Sequence, residues 1–246
     1  MKELLNNDIL NLLEKEQYVS VENLASALFV SPSTIRRALN ELQEKGLVVR
    51  THGGAKISRD NNFAPNFTFR IHQNSFEKKR IALSAIKVIK DGDIIFLDGS
   101  TSAFYIAEYL KEFNNVKVIT NGIETLSLLS KNGIPAYSTG GQISTENPAV
   151  LIGKYAEDTL NNFHANVVFF SAQSLDNDGR IYDCYEDEIF LRRAMIKNAK
   201  TKIFLCDDTK IGKTSPYYLC SVKDVDYVAS NSDISKIVPK EKILNL

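Results

Sequence analysis

The sequence predicts an α/β protein in two parts: a small helical module closed by a β-hairpin, then a larger domain built on a mainly parallel sheet. Three observations predict this. Short amphipathic stretches with a helical period occupy the N-terminal part of the chain. The segment after them, "LVVRTHGGAKIS", reads as strand, turn and strand. From about residue 74 onward, short apolar runs alternate with helical stretches, the pattern of a parallel sheet covered on both faces. The expected boundaries are 1–56 for the first part, 57–73 for a connector ordered in places by Phe67 and Phe69, and 74–246 for the second part.

Composition sets the outer limits. The chain has 246 residues, 43% hydrophobic and 24% charged, enough for two unequal domains. Zero formal net charge argues against a protein that coats nucleic acid without specificity, yet leaves room for a local basic patch. Cys184, Cys206 and Cys220 are too few and too scattered for a disulfide framework, and no C-x-x-C offers a metal site. The opening "MKELLNNDIL" carries charge early, and no apolar run is long enough to cross a bilayer. A cytoplasmic protein with no membrane partner, metal or cofactor is expected.

Leu5, Ile9, Leu12 and Leu13 make the apolar stripe of a first helix. In "VSVENLASAL", Ser20 can cap a second, shorter helix whose inner face is Leu24, Ala25 and Leu28. "FVS" separates it from a third. There Ser31 suits the N-cap, Pro32 the first helical position and Gly46 the terminator. Ile35, Ala38, Leu39 and Leu42 fall on one stripe of this third helix, and Ser33, Arg36, Arg37 and Asn40 on the opposite one. Taken alone, that polar stripe reads equally as a solvated face. Three short helices with a tight turn between the last two, however, make a helix-turn-helix, whose third helix enters the DNA major groove. The hairpin is then a wing. Arg50, His52, Lys56 and Arg59 sit on or beside it, where they can meet phosphates, while Gly53 and Gly54 read as a permissive turn.

The run "VSVENLASALFVSPSTIRRALNELQEKGLVVRTHGGA" resembles the N-terminal module of the DeoR family of bacterial transcription regulators. The matching residues are Val30-Ser31, Thr34-Ile35-Arg36-Arg37, Leu39, Leu42, Gly46 and Arg50-x-His52-Gly53-Gly54-Ala55. The resemblance adds Thr34 to the expected DNA-contacting residues. Two positions depart from the family pattern. Ala38 stands where an acid is usual, and Phe29 stands where the turn usually has glycine.

In the second part, Ile81, Ala82, Ala85, Ile86 and Ile89 mark a helix. "DIIFLD" (93–98) is a strand and feeds a helix over 102–112. "VKVIT" (116–120), "IPAYST" (134–139), "ANVVFF" (165–170), "KIFLC" (202–206) and "DYVAS" (226–230) are further strands. Ligands of such sheets bind beyond the carboxyl ends of the strands. After the first strand come Asp98, Gly99, Ser100, Thr101 and Ser102, a small-residue loop at a helix N-terminus. It reads as an anion site, or as a capped helix start with nothing bound. After later strands come Thr120 and Asn121, then Gly140 and Gly141, then Asp207, Asp208, Thr209 and Lys210. Paired glycines admit a close ligand, Asp207 can accept from sugar hydroxyls, and Lys210 can reach a phosphate as a point charge. Lys210 by itself reads as a solvated lysine; it is the gathering at strand ends that points to a site.

The blocks "RIHQNSFEKKRIA", "LDGSTS", "VITNG", "TGGQ", "DNDG", "EIFLRRAMIKNA" and "LCDDTKIG" resemble the DeoR-family effector domain. The resemblance implies a ribose-5-phosphate-isomerase-like fold that senses a phosphorylated sugar. It implies phosphate on Gly99–Ser102 assisted by Lys210, with Asp98, Asn121, Gly141 and Asp207 lining the sugar. Glu188 falls at the family's acidic position, where it either faces the site or only pairs with Arg192 one turn later, and the pairing is the expectation. The expected function is a repressor of a sugar-metabolism operon. Its expected partners are double-stranded operator DNA, a sugar phosphate, and further copies of itself in a homodimer or higher even-numbered oligomer. The alternative is a sugar-phosphate isomerase with an accessory DNA-binding module. Asp176, Asp178, Glu186, Asp187 and Glu188 offer carboxylates, but the glycine-rich lysine block of that enzyme is absent from "SLDNDGRIYDCYEDE". The last sixteen residues, "NSDISKIVPKEKILNL", carry no usable motif.

Overall fold

The computed structural model describes residues 2–16, 18–44, 47–51, 53–57 and 67–244. The chain divides into two compact units, Met1–Gln73 and Asn74–Leu246.

The first unit contains α1 (Lys2–Lys15), β1 (Val19–Ser20), α2 (Val21–Ala27), α3 (Pro32–Glu44), β2 (Val48–Thr51), β3 (Gly54–Ile57) and α4 (Phe67–His72). Helix α2 begins where expected, with the Ser20 hydroxyl accepting from the Asn23 N–H at 3.1 Å. It ends in a Schellman-type turn. The Val30 N–H reaches back to the Ala25 carbonyl at 3.1 Å, which requires a left-handed residue between them, and Phe29 supplies it at φ 54°. The ring gains nothing there, since Phe29 is 95% exposed. Ile35, Ala38, Leu39 and Leu42 are buried as their spacing predicts, and they pack with Ile9, Leu13, Leu24 and Ala25.

The wing is a three-stranded sheet, because β1 adds to the hairpin in the order β1-β3-β2. Two residues are too short a strand to recognise by periodicity. Their pairing changes the meaning of Gly54. A Cβ there would lie 2.4 Å from the Val19 carbonyl oxygen and 2.6 Å from the Tyr18 hydroxyl. Gly54 is therefore a close-approach glycine, whereas Gly53, at φ 79°, serves the turn. The connector expected over 57–73 is in part a helix: α4 buries Phe67 and Phe69, and Phe69 joins the core of this unit. Burial of two aromatic rings outweighs the weak periodicity of that segment. Gly46, His52 and Arg59 lie outside the described residues.

The second unit runs α5 (Ser75–Ala85), β4 (Ile94–Leu97), α6 (Thr101–Tyr109), β5 (Lys117–Thr120), α7 (Ile123–Lys131), β6 (Ala136–Ser138), β7 (Gln142–Ile143), β8 (Leu151–Ile152), α8 (Lys154–Leu160), β9 (Ala165–Phe170), β10 (Ser174–Leu175), β11 (Arg180–Asp183), α9 (Glu186–Lys197), β12 (Ala199–Cys206), β13 (Tyr217–Ser221), β14 (Tyr227–Ser230) and β15 (Ile243–Leu244). Seven strands form one sheet in the order β15-β14-β12-β9-β4-β5-β6. All its pairings are parallel. Alternate residues Phe96, Val168, Phe170, Phe204 and Val228 pack with Leu160, Ile189, Leu191 and Met195 of α8 and α9. Helices α5 and α6 pack against the sheet as well. The small antiparallel pieces, β7 with β8 and β10 with β11 and β13, lie outside this sheet and were not anticipated. The chain winds outward from β4 to β6, then returns to β9 on the other side of β4. The β4/β9 boundary is therefore the switch point, where the two windings part and open a crevice.

Candidate functional site

Each unit has its own candidate site. In the first, α3 presents Ser33, Arg36, Arg37 and Asn40, all exposed. Hydroxyls organise its N-terminus. The Ser31 hydroxyl accepts from the Thr34 N–H at 3.2 Å and lies 2.8 Å from the Ser33 hydroxyl and 2.9 Å from the Thr34 hydroxyl. Arg36 is steadied by Glu22 of α2, at 3.6 Å. Ala38, in place of the usual acid, belongs to the core and cannot hold an arginine, so the anchor comes from a different helix. Arg50 leans back from the wing onto α3. Its Nη1 donates to Asn40 Oδ1, and its backbone N–H donates to Gln43 Oε1 at 3.2 Å. Wing and helix are thereby tied into one polar surface. Lys56, on β3, is exposed.

In the second unit the strand ends converge as expected, but several groups expected to await a ligand are already engaged. Asp98 is 0% exposed. Its Oδ1 accepts from the backbone N–H and hydroxyl of Ser100, at 3.2 and 2.5 Å. Its Oδ2 accepts from the Ser171 N–H at 3.2 Å and from Arg192 Nε at 2.7 Å. Four donors saturate a carboxylate, so Asp98 shapes the loop. Ser100 caps α6, accepting from the Ala103 N–H at 3.1 Å. Asp207 likewise caps its own turn through the Thr209 N–H and hydroxyl. Lys210 Nζ donates to the Ala172 carbonyl, which places its charge at the end of β9. Gly141 meets the Ile152 carbonyl, 2.3 Å from where a Cβ would stand. Its close approach is thus within the chain.

The sequence reading missed the hub of this site. Arg192 spans Asp98, Asp183 at 3.1 Å and Glu188 at 2.7 Å, with all four side chains buried. The pairing with Glu188 was legible from their spacing, but Asp183 sits on the strand before α9 and Asp98 comes from a distant part of the chain. Burial works to lower the Arg192 pKa, yet Asp183, Glu188 and Asp98 together hold it above the ordinary value. Glu188 also accepts from Asn147 Nδ2 at 2.7 Å. With Glu188 committed in this way, the cluster has no free base of the kind an isomerase needs. Cys184 is half-buried, and burial pushes its thiol pKa up.

Gly99, Ser100, Thr101 and Ser102 are all buried at the N-terminus of α6. Asn121 stands beside Gly99, its Nδ2 3.5 Å from where a Gly99 Cβ would be. The structure thus brings together Gly99 to Ser102 with Asn121, and it sets Lys210 at the neighbouring strand ends.

Residues 6–60 match the DeoR-like helix-turn-helix domain, and residues 73–232 match the DeoR C-terminal sensor domain. The transcriptional regulator GolR of Listeria innocua is 32% identical over 96% of this chain and 92% of its own length. The glycerol-3-phosphate regulon repressor of Escherichia coli is 29% identical over 92% of this chain and 90% of its own. The L-fucose operon activator of Haemophilus influenzae is 31% identical over 92% and 90%. Among solved structures, ribose 5-phosphate isomerase A of Methanocaldococcus jannaschii is similar with a TM-score of 0.42 and 18% identity, over 56% of this chain and 55% of its own.

Proposed function

This chain belongs to the DeoR family of DNA-binding transcription regulators, and from that premise we propose that it represses a sugar-metabolism operon until a phosphorylated sugar binds its second domain. The observation that carries the reading is the pairing of two surfaces in one chain. One is a basic helix face built for a groove; the other is a small-residue loop at a helix N-terminus on a parallel sheet.

On DNA, α3 lies in the major groove with Arg36 and Arg37 at the base edges and Ser33, Thr34 and Asn40 beside them. Lys56 and Arg50 of the wing, together with His52, meet flanking phosphates. In the second domain the backbone N–H groups of Gly99, Thr101 and Ser102 and the positive end of α6 take the phosphate, with Lys210 adding charge. Arg192 offsets one of the three negative charges that Asp98, Asp183 and Glu188 place near that phosphate. Similarity to a glycerol-3-phosphate regulon repressor and to an L-fucose operon activator supports control of a carbohydrate or phosphorylated-polyol operon, and the first of them supports repression. One helix-turn-helix covers only a half-site, so the working unit is an even-numbered oligomer on a two-fold operator.

An operator selected from a random duplex pool by the full-length protein supplies the assay. Melting temperature should rise with the correct sugar phosphate, since a ligand at one hundred times its Kd stabilises the folded state by about 2.7 kcal/mol. Thr101→Ala and Lys210→Ala should weaken that shift. A shift of wild-type size in both variants places the effector elsewhere.

A further inference from the structure

Two buried polar atoms, one just past the end of β5 and one in the first turn of α7, have no hydrogen-bond partner among the described residues. They are Asn121 Oδ1 and Thr125 Oγ1, in side chains that are 4% and 0% exposed as residues. The Asn121 amide is oriented by its other end, because Nδ2 donates to the Leu151 carbonyl at 3.1 Å and leaves Oδ1 open. Both atoms belong to residues gathered around Gly99. A Cβ on Gly122 would stand 3.0 Å from Thr125 Oγ1 and 3.1 Å from the Gly99 Cα. Buried polar atoms are almost always satisfied, so two unsatisfied ones beside the same glycine call for an explanation.

Val150 provides it. This residue is 0% exposed, and its Cγ1 lies 2.2 Å from where a Gly99 Cβ would be. An isopropyl group can offer neither atom a hydrogen bond. The strap that carries it, between β7 and β8, is pinned by polar contacts. The Leu151 N–H donates to the Asn121 carbonyl at 2.8 Å, and Asn147 reaches Glu188.

We propose that Asn121 and Thr125 form a hydroxyl-reading subsite beside the Gly99–Ser102 loop, and that Val150 holds its place until the effector enters. The proposal rests on the sugar-phosphate reading above and narrows it. Asn121 Oδ1 only accepts, so the incoming group must donate. The Thr125 hydroxyl can donate in turn. A single ligand hydroxyl meets both needs, giving its proton to Asn121 and accepting from Thr125. A phosphate dianion has no proton for Asn121, so the phosphate stays on the N–H groups of α6 and a hydroxylated carbon takes the subsite.

The test is a thermal-shift titration of the full-length chain with ribose 5-phosphate, glucose 6-phosphate, glycerol 3-phosphate and inorganic phosphate. Wild type should respond more strongly to at least one sugar phosphate than to inorganic phosphate. Thr125→Val keeps the shape and removes the hydroxyl. It should leave the ligand-free melting temperature equal or higher, and reduce the response to that sugar phosphate to the level of inorganic phosphate. Val150→Ala should lower the half-maximal concentration of the sugar phosphate several-fold, because less must be displaced. A Thr125→Val chain that melts lower and still answers the sugar phosphate as wild type does overturns the subsite alone. A Val150→Ala chain with wild-type half-maximal concentration overturns the place-holding role. A wild type that answers no sugar phosphate overturns the sensor reading, and the subsite with it.

Discussion

Three residues carry costs that the structure makes measurable. Phe29 occupies a left-handed turn position with its ring in solvent, so glycine should relieve strain and lose no packing. Set against the extra chain entropy of glycine, Phe29→Gly should stabilise the N-terminal unit by about 0.5–1 kcal/mol in urea unfolding. Gly54 behaves in the opposite sense. Its missing Cβ makes room for the Val19 carbonyl, a backbone atom that cannot turn aside, so Gly54→Ala should cost about 1–3 kcal/mol. The third is Arg192. Removing it leaves Asp98, Asp183 and Glu188 buried without their counter-charge, and Arg192→Met should cost about 3–5 kcal/mol. A loss below about 1 kcal/mol in the same assay would mean the three carboxylates are held by something other than that guanidinium. In the sequence Phe29 stood out as a departure from a family pattern, Gly54 only as a turn glycine and Arg192 only as a partner of Glu188. The pairing of Arg192 with Asp98 and the neighbour above Gly99 are set by chain winding, which no local spacing encodes.

At the scale of elements, the helices were legible wherever they bury one stripe. Ile35, Ala38, Leu39 and Leu42 name the inner face of α3, and the opposite face follows from them. The six strands β4, β5, β6, β9, β12 and β14 were legible as short apolar runs. Pieces of two residues, such as β1, β7, β8, β10 and β15, are too short for any period to register. Helix α4 was read as a connector because its two buried phenylalanines are spaced i, i+2 and give no helical stripe. The roles of α3 and the wing separate experimentally. Arg37→Ala should relax base preference, since a bidentate arginine–guanine contact carries about 1–3 kcal/mol of discrimination. Lys56→Ala should weaken all sequences alike and reduce the salt slope by about 1. If both variants bind the selected operator as wild type does across a salt series, the wrong face has been identified.

For the whole molecule, the claim is that a groove-reading unit and a sugar-phosphate-reading unit act as one switch. The number of copies follows from DNA geometry, with half-sites about one helical turn or a multiple apart. Sedimentation at micromolar concentration should show an even-numbered oligomer, and a tight-binding monomer would contradict it. Regulation requires more than binding. A ligand shifts the balance between two DNA-binding states only as far as its affinities for them differ, so a tightly bound effector without preference changes nothing. The most direct test is therefore operator affinity with and without a saturating sugar phosphate, in wild type and in Thr101→Ala. The account predicts that the sugar phosphate weakens wild-type binding at least tenfold, about 1.4 kcal/mol, while Thr101→Ala binds the operator normally and responds only at much higher ligand concentration. Operator affinity in wild type that is the same with and without every sugar phosphate tried would contradict it.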